Sequence, residues 1–187
     1  MSTDGQHDHE RRFHGGAERL RAPERVALLE TESVTRLCAE GIDAVSVLDV
    51  GTGSGIFAEA FAARSLGVTG IDPDPDLLAL ARALVPTAEF QEGVAEKLPF
   101  ENGSFDLVFL GHVLHETDNP AGALAEARRV SRKRVAVLEW PYRSETMGPP
   151  LAHRLEPSRI IELARLAGFQ KVERIELTHM DFYRLTP

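Results

Sequence analysis

The sequence predicts an α/β protein: a doubly wound, seven-stranded sheet, mostly parallel, closing with a C-terminal antiparallel hairpin. Three observations predict it. From residue 45 onward, short apolar runs alternate with helical segments, the pattern of strands buried on both faces. A glycine-rich turn joins the first such run to a helix. The last two runs are separated by only a few residues around His179–Asp181. A parallel crossover needs a dozen or more, so that pair must be antiparallel.

The elements follow in order. Met1–Gly16 is polar and carries His7, His9 and His14; without an ordered scaffold these histidines read as solvated rather than as a metal site. Residues 1–22 are expected to form a flexible polar tail, and residues 23–187 a single domain. Pro23 suits a first helical turn. Val26, Leu28, Leu29, Val34, Leu37 and Cys38 then mark one or two amphipathic helices stopped by Gly41. Val45–Val50 is the first strand and Ile56–Ser65 a helix. Val68–Asp72 is the second strand. Asp74 caps a helix with Pro75 at its first position, running to about Leu84. Ala88–Gln91 and Phe105–Leu110 are the third and fourth strands. Asn119-Pro120 opens a helix that is expected to end in the basic run Arg128–Arg134, where cations complement the macrodipole. Val135–Glu139 is the fifth strand. Pro157-Ser158 opens a helix stopped by Gly168. Val172–Thr178 and Phe182–Leu185 complete the sheet.

Composition bounds the function. The chain has 187 residues, 43% hydrophobic and 27% charged, the balance of one globular domain. Its net charge of −8 argues against a general nucleic-acid binder, so the basic run is read as a helix cap rather than an RNA site. No apolar run approaches the roughly 20 residues of a membrane span. The polar start is not a secretory signal. The single cysteine, Cys38, excludes a disulfide framework. A cytoplasmic protein is expected, monomeric or homodimeric.

The strongest chemical signal is Val47-Leu-Asp-Val-Gly-Thr-Gly-Ser-Gly55 between a strand and a helix. Glycines permit a sharp turn and let a ligand lie against bare backbone, outside the carboxyl ends of the strands. Asp72 ends the next strand, 21 residues after Gly51, where an acid accepts hydrogen bonds from ribose hydroxyls. The dinucleotide fingerprint G-x-G-x-x-G is not met: the pattern is G-x-G-x-G, with Ile56 in place of the third glycine. Asp49 would repel a pyrophosphate but attract the ammonium of an amino acid. The charge logic favours a cofactor combining a nucleoside with an amino acid.

With these residues the chain resembles the class I S-adenosylmethionine-dependent methyltransferases of the small-molecule "methyltransferase type 11" kind. The resemblance spans roughly Pro23–Leu185. It is carried by Val47–Gly55, Gly70-Ile-Asp-Pro-Asp74, Ala95–Val108, Leu114-His-Glu116 and Ala167-Gly-Phe169. Glu18–Arg25 and Gly148-Pro-Pro150 also look like a group of short bacterial members. The resemblance implies the Rossmann-like class I methyltransferase fold and S-adenosylmethionine as cofactor. It implies that Asp49, Gly51, Thr52 and Gly53 surround the methionine end. Asp72 takes the ribose hydroxyls, Pro73 packs on adenine, and Gly111 and His112 line the methionine and sulfonium side. Many relatives have Gly-Asp-Ala where this chain has Gly93-Val94-Ala95. Adenine recognition then falls to the backbone of Val94 and Ala95, or to Glu96.

Such a cofactor is already activated, so the protein has mainly to align nucleophile and methyl group and exclude water. A general base is needed only when the nucleophile must lose a proton. His115 is the foremost base candidate and His112 the second. Glu139, Trp140, Tyr142 and His153 could also face the acceptor, with Arg143–Glu156 as a lid. The expected acceptor is a small molecule. The segment after the fourth strand reads Gly111-His-Val-Leu114, not the Pro-Pro-aromatic motif of amino methylation on nucleic-acid bases, and one cysteine excludes thiol-dependent methylations. Two other readings stay open: a non-catalytic cofactor-binding module, and a nicotinamide-dependent oxidoreductase.

Overall fold

The computed structural model describes residues 17–187. His7, His9 and His14 lie outside the described residues, and among those described no three metal-ligating side chains cluster. The described residues begin with three helices, α1 (Ala17–Leu20), α2 (Pro23–Leu28) and α3 (Thr31–Ala39). There follow β1 (Ser46–Val50), α4 (Ile56–Ala62), β2 (Gly67–Asp72), α5 (Pro75–Leu84), β3 (Glu89–Glu92) and β4 (Phe105–Gly111). Then come α6 (Pro120–Val130), β5 (Ser131–Glu139), a 3-10 turn at Leu151–His153, α7 (Pro157–Leu166), β6 (Lys171–Glu176) and β7 (Asp181–Thr186). Among the described residues no helix is long and apolar enough to cross a membrane.

The strands form one seven-stranded sheet in the order β3-β2-β1-β4-β5-β7-β6. The first five are parallel. β7 runs antiparallel between β5 and β6, as the short 177–180 connection requires. Consecutive residues of each central strand serve opposite faces. Leu48, Val108, Leu110, Val135 and Val137 pack under α6 and α7. Val47, Leu107, Phe109, Ala136 and Leu138 pack under α3 and α4. The chain turns back between β1 and β4, and there the crevice of an open sheet lies outside the carboxyl ends.

Local signals act where the sequence places them. The Asp74 side chain accepts from the Asp76 and Leu77 amides at the start of α5, and the Asn119 side chain from the Gly122 amide in α6. Gly168 ends α7 with φ +91°.

Two expectations are corrected. Residues 17–22 are not a free tail: α1 includes Leu20, which is buried, and Arg21 donates to Ser54 O and to Glu59. The basic run is a helix end only in its first part: Arg128 and Arg129 lie in the last turn of α6. α6 stops at Val130, and Ser131–Arg134 already belong to β5, where Ser131 pairs with Phe105 and Arg134 with Leu107. Arg132 and Lys133 reach the Asp106 carboxylate. Arg134 is buried and donates to the carbonyls of Cys38 and Glu40, so it complements the end of α3 instead.

Candidate functional site

A cavity of about 1030 Å³ opens over the carboxyl ends of β1, β2 and β4. Its floor is the Gly51–Gly55 turn. The amides of Gly51 and Thr52 both donate to the Ile71 carbonyl, at 2.8 and 3.0 Å, pinning the turn to β2. Gly51 adopts φ +67°, and a Cβ there would sit 2.5 Å from Val113 Cγ2. Only glycine fits both the backbone and the space. Bare backbone at Gly51 and Gly53 therefore faces the cavity.

Asp72 stands beside it. Its Oδ2 accepts from the Gly53 amide at 2.8 Å and its Oδ1 from the Asp74 amide at 2.9 Å. These bonds hold both oxygens in place, and each retains a lone pair for a ligand hydroxyl. Burial raises its pKa, against the two amides that favour the charged form. Pro73, Gly93, Val94, Ala95 and Glu96 continue the wall. Val94 is 40% exposed, its carbonyl accepting from Lys97 N.

Asp49 and Thr52, expected around the methionine end, do not line the cavity. They close on each other behind the turn: the Thr52 hydroxyl donates to Asp49 Oδ2 at 2.7 Å. Burial pushes the Asp49 carboxyl up to about 7, helped by the Asp72 charge and opposed by the Thr52 bond. Asp49 is a support of the glycine turn, not an exposed anion.

The other side of the cavity follows β4. Gly111 ends the strand. His112 takes a left-handed conformation, φ +62°, its amide held by Leu138 O. Its ring lies 5.1 Å from that of Trp140, and its two ring nitrogens are buried without a partner. Burial, with Arg25 and His115 nearby, holds its pKa well below the ordinary value, so the imidazole is neutral. His115 differs. Its Nδ1–H donates to Glu139 Oε2 at 2.7 Å, and its amide to Glu139 Oε1 at 3.3 Å. Burial disfavours its charge, but the Glu139 carboxylate and hydrogen bond, with Glu116, outweigh that and raise its pKa.

The two predicted histidines thus meet in one cavity with Gly51, Gly53, Asp72, Pro73, Val94, Ala95 and Gly111. Trp140 and His153 also line it; Tyr142 does not, and borders a separate cavity of about 250 Å³. Sequence reasoning named no residue of the helical roof: Arg19 and Leu20 from α1, and Arg25 from α2, line the same cavity. Their signal was the Glu18–Arg25 segment itself. The last wall is Thr146–Pro150. Arg154 holds this segment down, donating to the carbonyls of Pro141, Met147 and Pro149 and lying 5.4 Å from the Trp140 ring centre.

This donor set fits S-adenosylmethionine. A fixed carboxylate with free lone pairs suits a ribose, bare glycine backbone suits a close-lying amino-acid chain, and Asp72, Glu96 and Glu116 on the wall suit a cation.

Comparison with known proteins agrees. Residues 48–138 match a family model described as "Methyltransferase domain". The chain is 40% identical over 92 residues to a demethylmenaquinone methyltransferase of Chlorobaculum tepidum, covering 49% of this chain and 38% of that one. It is 36% identical over 103 residues to an uncharacterized methyltransferase of Mycobacterium bovis, covering 54% and 42%. The chain thus spans about four tenths of the length of these curated relatives. A SAM-dependent methyltransferase from Aquifex aeolicus superimposes with a TM-score of 0.81 at 22% identity, covering 90% of this chain and 95% of that one, which shows the shared fold. The matched methyltransferase-domain segment is just under half of the chain, and the seven-stranded sheet, mostly parallel with an antiparallel C-terminal pair, is that of the class I methyltransferase fold.

Proposed function

We propose that the protein is a cytoplasmic methyltransferase that moves a methyl group from S-adenosylmethionine to a small-molecule acceptor by in-line displacement, as a monomer or homodimer. The observation that carries this reading is the Asp72 carboxylate, fixed by two backbone amides beside the bare Gly51–Gly53 backbone on one cavity wall. When bound, the cofactor supplies a methyl group activated by a positively charged sulfur.

The chain's own residues do the rest. Asp72 takes the ribose hydroxyls, and Pro73, Val94 and Ala95 flank the adenine. Gly51, Gly53 and Gly111 let the amino-acid end lie close to the backbone. His112, His115 and Trp140 face the acceptor. The roof from α1 and α2 and the Thr146–Pro150 wall exclude water, and holding two reactants in line supplies about 7–11 kcal/mol. A small acceptor is supported by the cavity size and by the absence, among the described residues, of an inserted substrate domain. The Chlorobaculum relative is named a demethylmenaquinone methyltransferase, which supports an acceptor that is not a macromolecule.

A thermal-shift comparison of S-adenosylmethionine, S-adenosylhomocysteine and NAD tests the cofactor. At 100 times the dissociation constant a ligand adds about 2.7 kcal/mol. Stabilisation by NAD alone would sink the reading. Binding of S-adenosylmethionine without turnover in a labelled-methyl screen of phenols, amines and thiols would make the protein a binding module.

A further inference from the structure

We propose that Glu139 is a positioning residue that holds His115 as the proton acceptor of this cavity, and that the methyl acceptor is a weakly acidic hydroxyl on a flat unsaturated ring. This rests on the methyl-transfer reading of the same site.

Glu139 ends β5 and is 2% exposed. Both its oxygens are spent on one residue, Oε2 on the Nδ1–H and Oε1 on the amide of His115. The side chains lie 24 residues apart in sequence, joined because β4 and β5 are neighbours. A buried carboxylate on Nδ1 fixes the tautomer, leaving Nε2 as the basic nitrogen. Nε2 lies 3.7 Å from Glu116 Oε1, beyond hydrogen-bond length, and both residues line the cavity. Other charged or titratable groups face the pair. Arg154 comes from the 143–156 segment, His112 from the end of β4, Arg25 from α2 against Glu116 and His112, and Tyr183 from β7 against Glu139.

A built proton acceptor selects a nucleophile that must lose a proton. A neutral amine attacks with its own lone pair. A thiol, ordinarily near 8.5, ionises more readily than a phenol near 10. The phenolic class gains most from a base. The lining is aromatic and held rigid: the Trp140 and His112 rings pack 5.1 Å apart, and the Gly148 backbone lies so close to the indole that a Cβ would meet it at 2.7 Å. In the proton step the acceptor's O–H bond breaks and its proton bonds to Nε2. The electron pair stays on oxygen as the nucleophile. The resulting imidazolium faces the Glu139 carboxylate, and the proton later passes to water, balancing the positive charge the methyl donor loses.

The test has two arms, with calorimetric titration of S-adenosylmethionine run alongside. In the first, His115 is titrated by NMR in the wild type and Glu139→Gln, with no turnover required. The expected result is a pKa above the ordinary histidine value that falls by about one to three units in the variant, the usual reach of an opposite charge. Equal values in both proteins would overturn the positioning role. In the second, labelled-methyl transfer is followed for phenols, amines and thiols. Turnover of phenols is expected, with kcat rising to a plateau as pH increases. Glu139→Gln should move that limb to lower pH with KM nearly unchanged, and His115→Gln should cut kcat about 10²-fold. His115→Gln also serves if Glu139→Gln does not fold. Turnover confined to amines or thiols, or a limb that stays in place, overturns the proposal, as does silence across the panel while the cofactor binds. Failure of the cofactor to bind overturns the methyl-transfer reading itself.

Discussion

Replacing Asp72 with alanine removes the carboxylate that the structure fixes on the cavity wall beside the glycine turn. In the free protein the loss is small. The amides of Gly53 and Asp74, 2.8 and 2.9 Å from its oxygens, both border a cavity where water can replace the acceptor. A net cost of about 1 kcal/mol, or roughly 2–4 °C in Tm for a chain of this size, follows. In the complex the loss is larger, because two ribose hydroxyls would lose a charged acceptor. Hydrogen bonds to charged groups are worth about 1.5–3 kcal/mol each. Taking the lower figure for each, since water competes, gives about 3 kcal/mol, or roughly a hundredfold in Kd. The assay is calorimetric titration with S-adenosylmethionine and S-adenosylhomocysteine, with circular dichroism to confirm the fold. Both ligands should weaken together, since they share the ribose. An affinity within threefold of wild type in a folded variant would refute the ribose assignment.

The other predictions test the supports of the site. Gly51→Ala forces a side chain into φ +67° and against Val113; thermal melts should show a loss of about 2 kcal/mol or more, and calorimetry a loss of cofactor binding. Arg154→Ala releases three backbone carbonyls of the 141–149 segment; trypsin should cut at Arg143 roughly tenfold faster, a local opening cheaper by about 1.4 kcal/mol, while Tm falls only a few degrees. Asp49 has a folded pKa raised to about 7 from 3.8, so between those values the folded state holds a proton the unfolded state has released, and stability falls as pH rises through that window. Denaturant melts of Asp49→Asn should therefore gain on wild type from pH 5 to pH 8; a constant difference would contradict the assignment. Asp106 has the opposite shift: burial works against its charge, but the Val45 amide, Arg132 and Lys133 hold it down to about 2. Its stabilisation is present above pH 4 and lost as pH falls toward 2, so Asp106→Asn should narrow its deficit to wild type under acid.

Much of the fold was legible because its signals are local. Asp74-Pro75 and Asn119-Pro120 open α5 and α6 as the sequence indicates, each cap acting over three residues. The turn from Gly51 to Gly55 was legible for the same reason. The basic run misled because its cations suit a helix end as well as a strand. Backbone pairing with Phe105 and Leu107 decided for the strand, and the side chains found partners in Asp106 and in the end of α3. The place of Asp49 before the glycines was legible in the sequence. Its direction was not legible, since a hydroxyl three residues on captured it.

By itself the sequence determined the alternation of strands and helices, the antiparallel ending, the glycine turn and the acid at the end of the second strand. Each depends on the chemistry of a few consecutive residues or on a connection length. Only the tertiary structure decided that Arg19, Leu20 and Arg25 roof the cavity, that Arg154 fastens its far wall over Trp140, and that Glu139 meets His115. Those contacts join residues from separate elements, and the physical reason is strand order. With β4 beside both β1 and β5, the ends of three strands converge on one crevice, and no local rule along the chain specifies which side chains meet there.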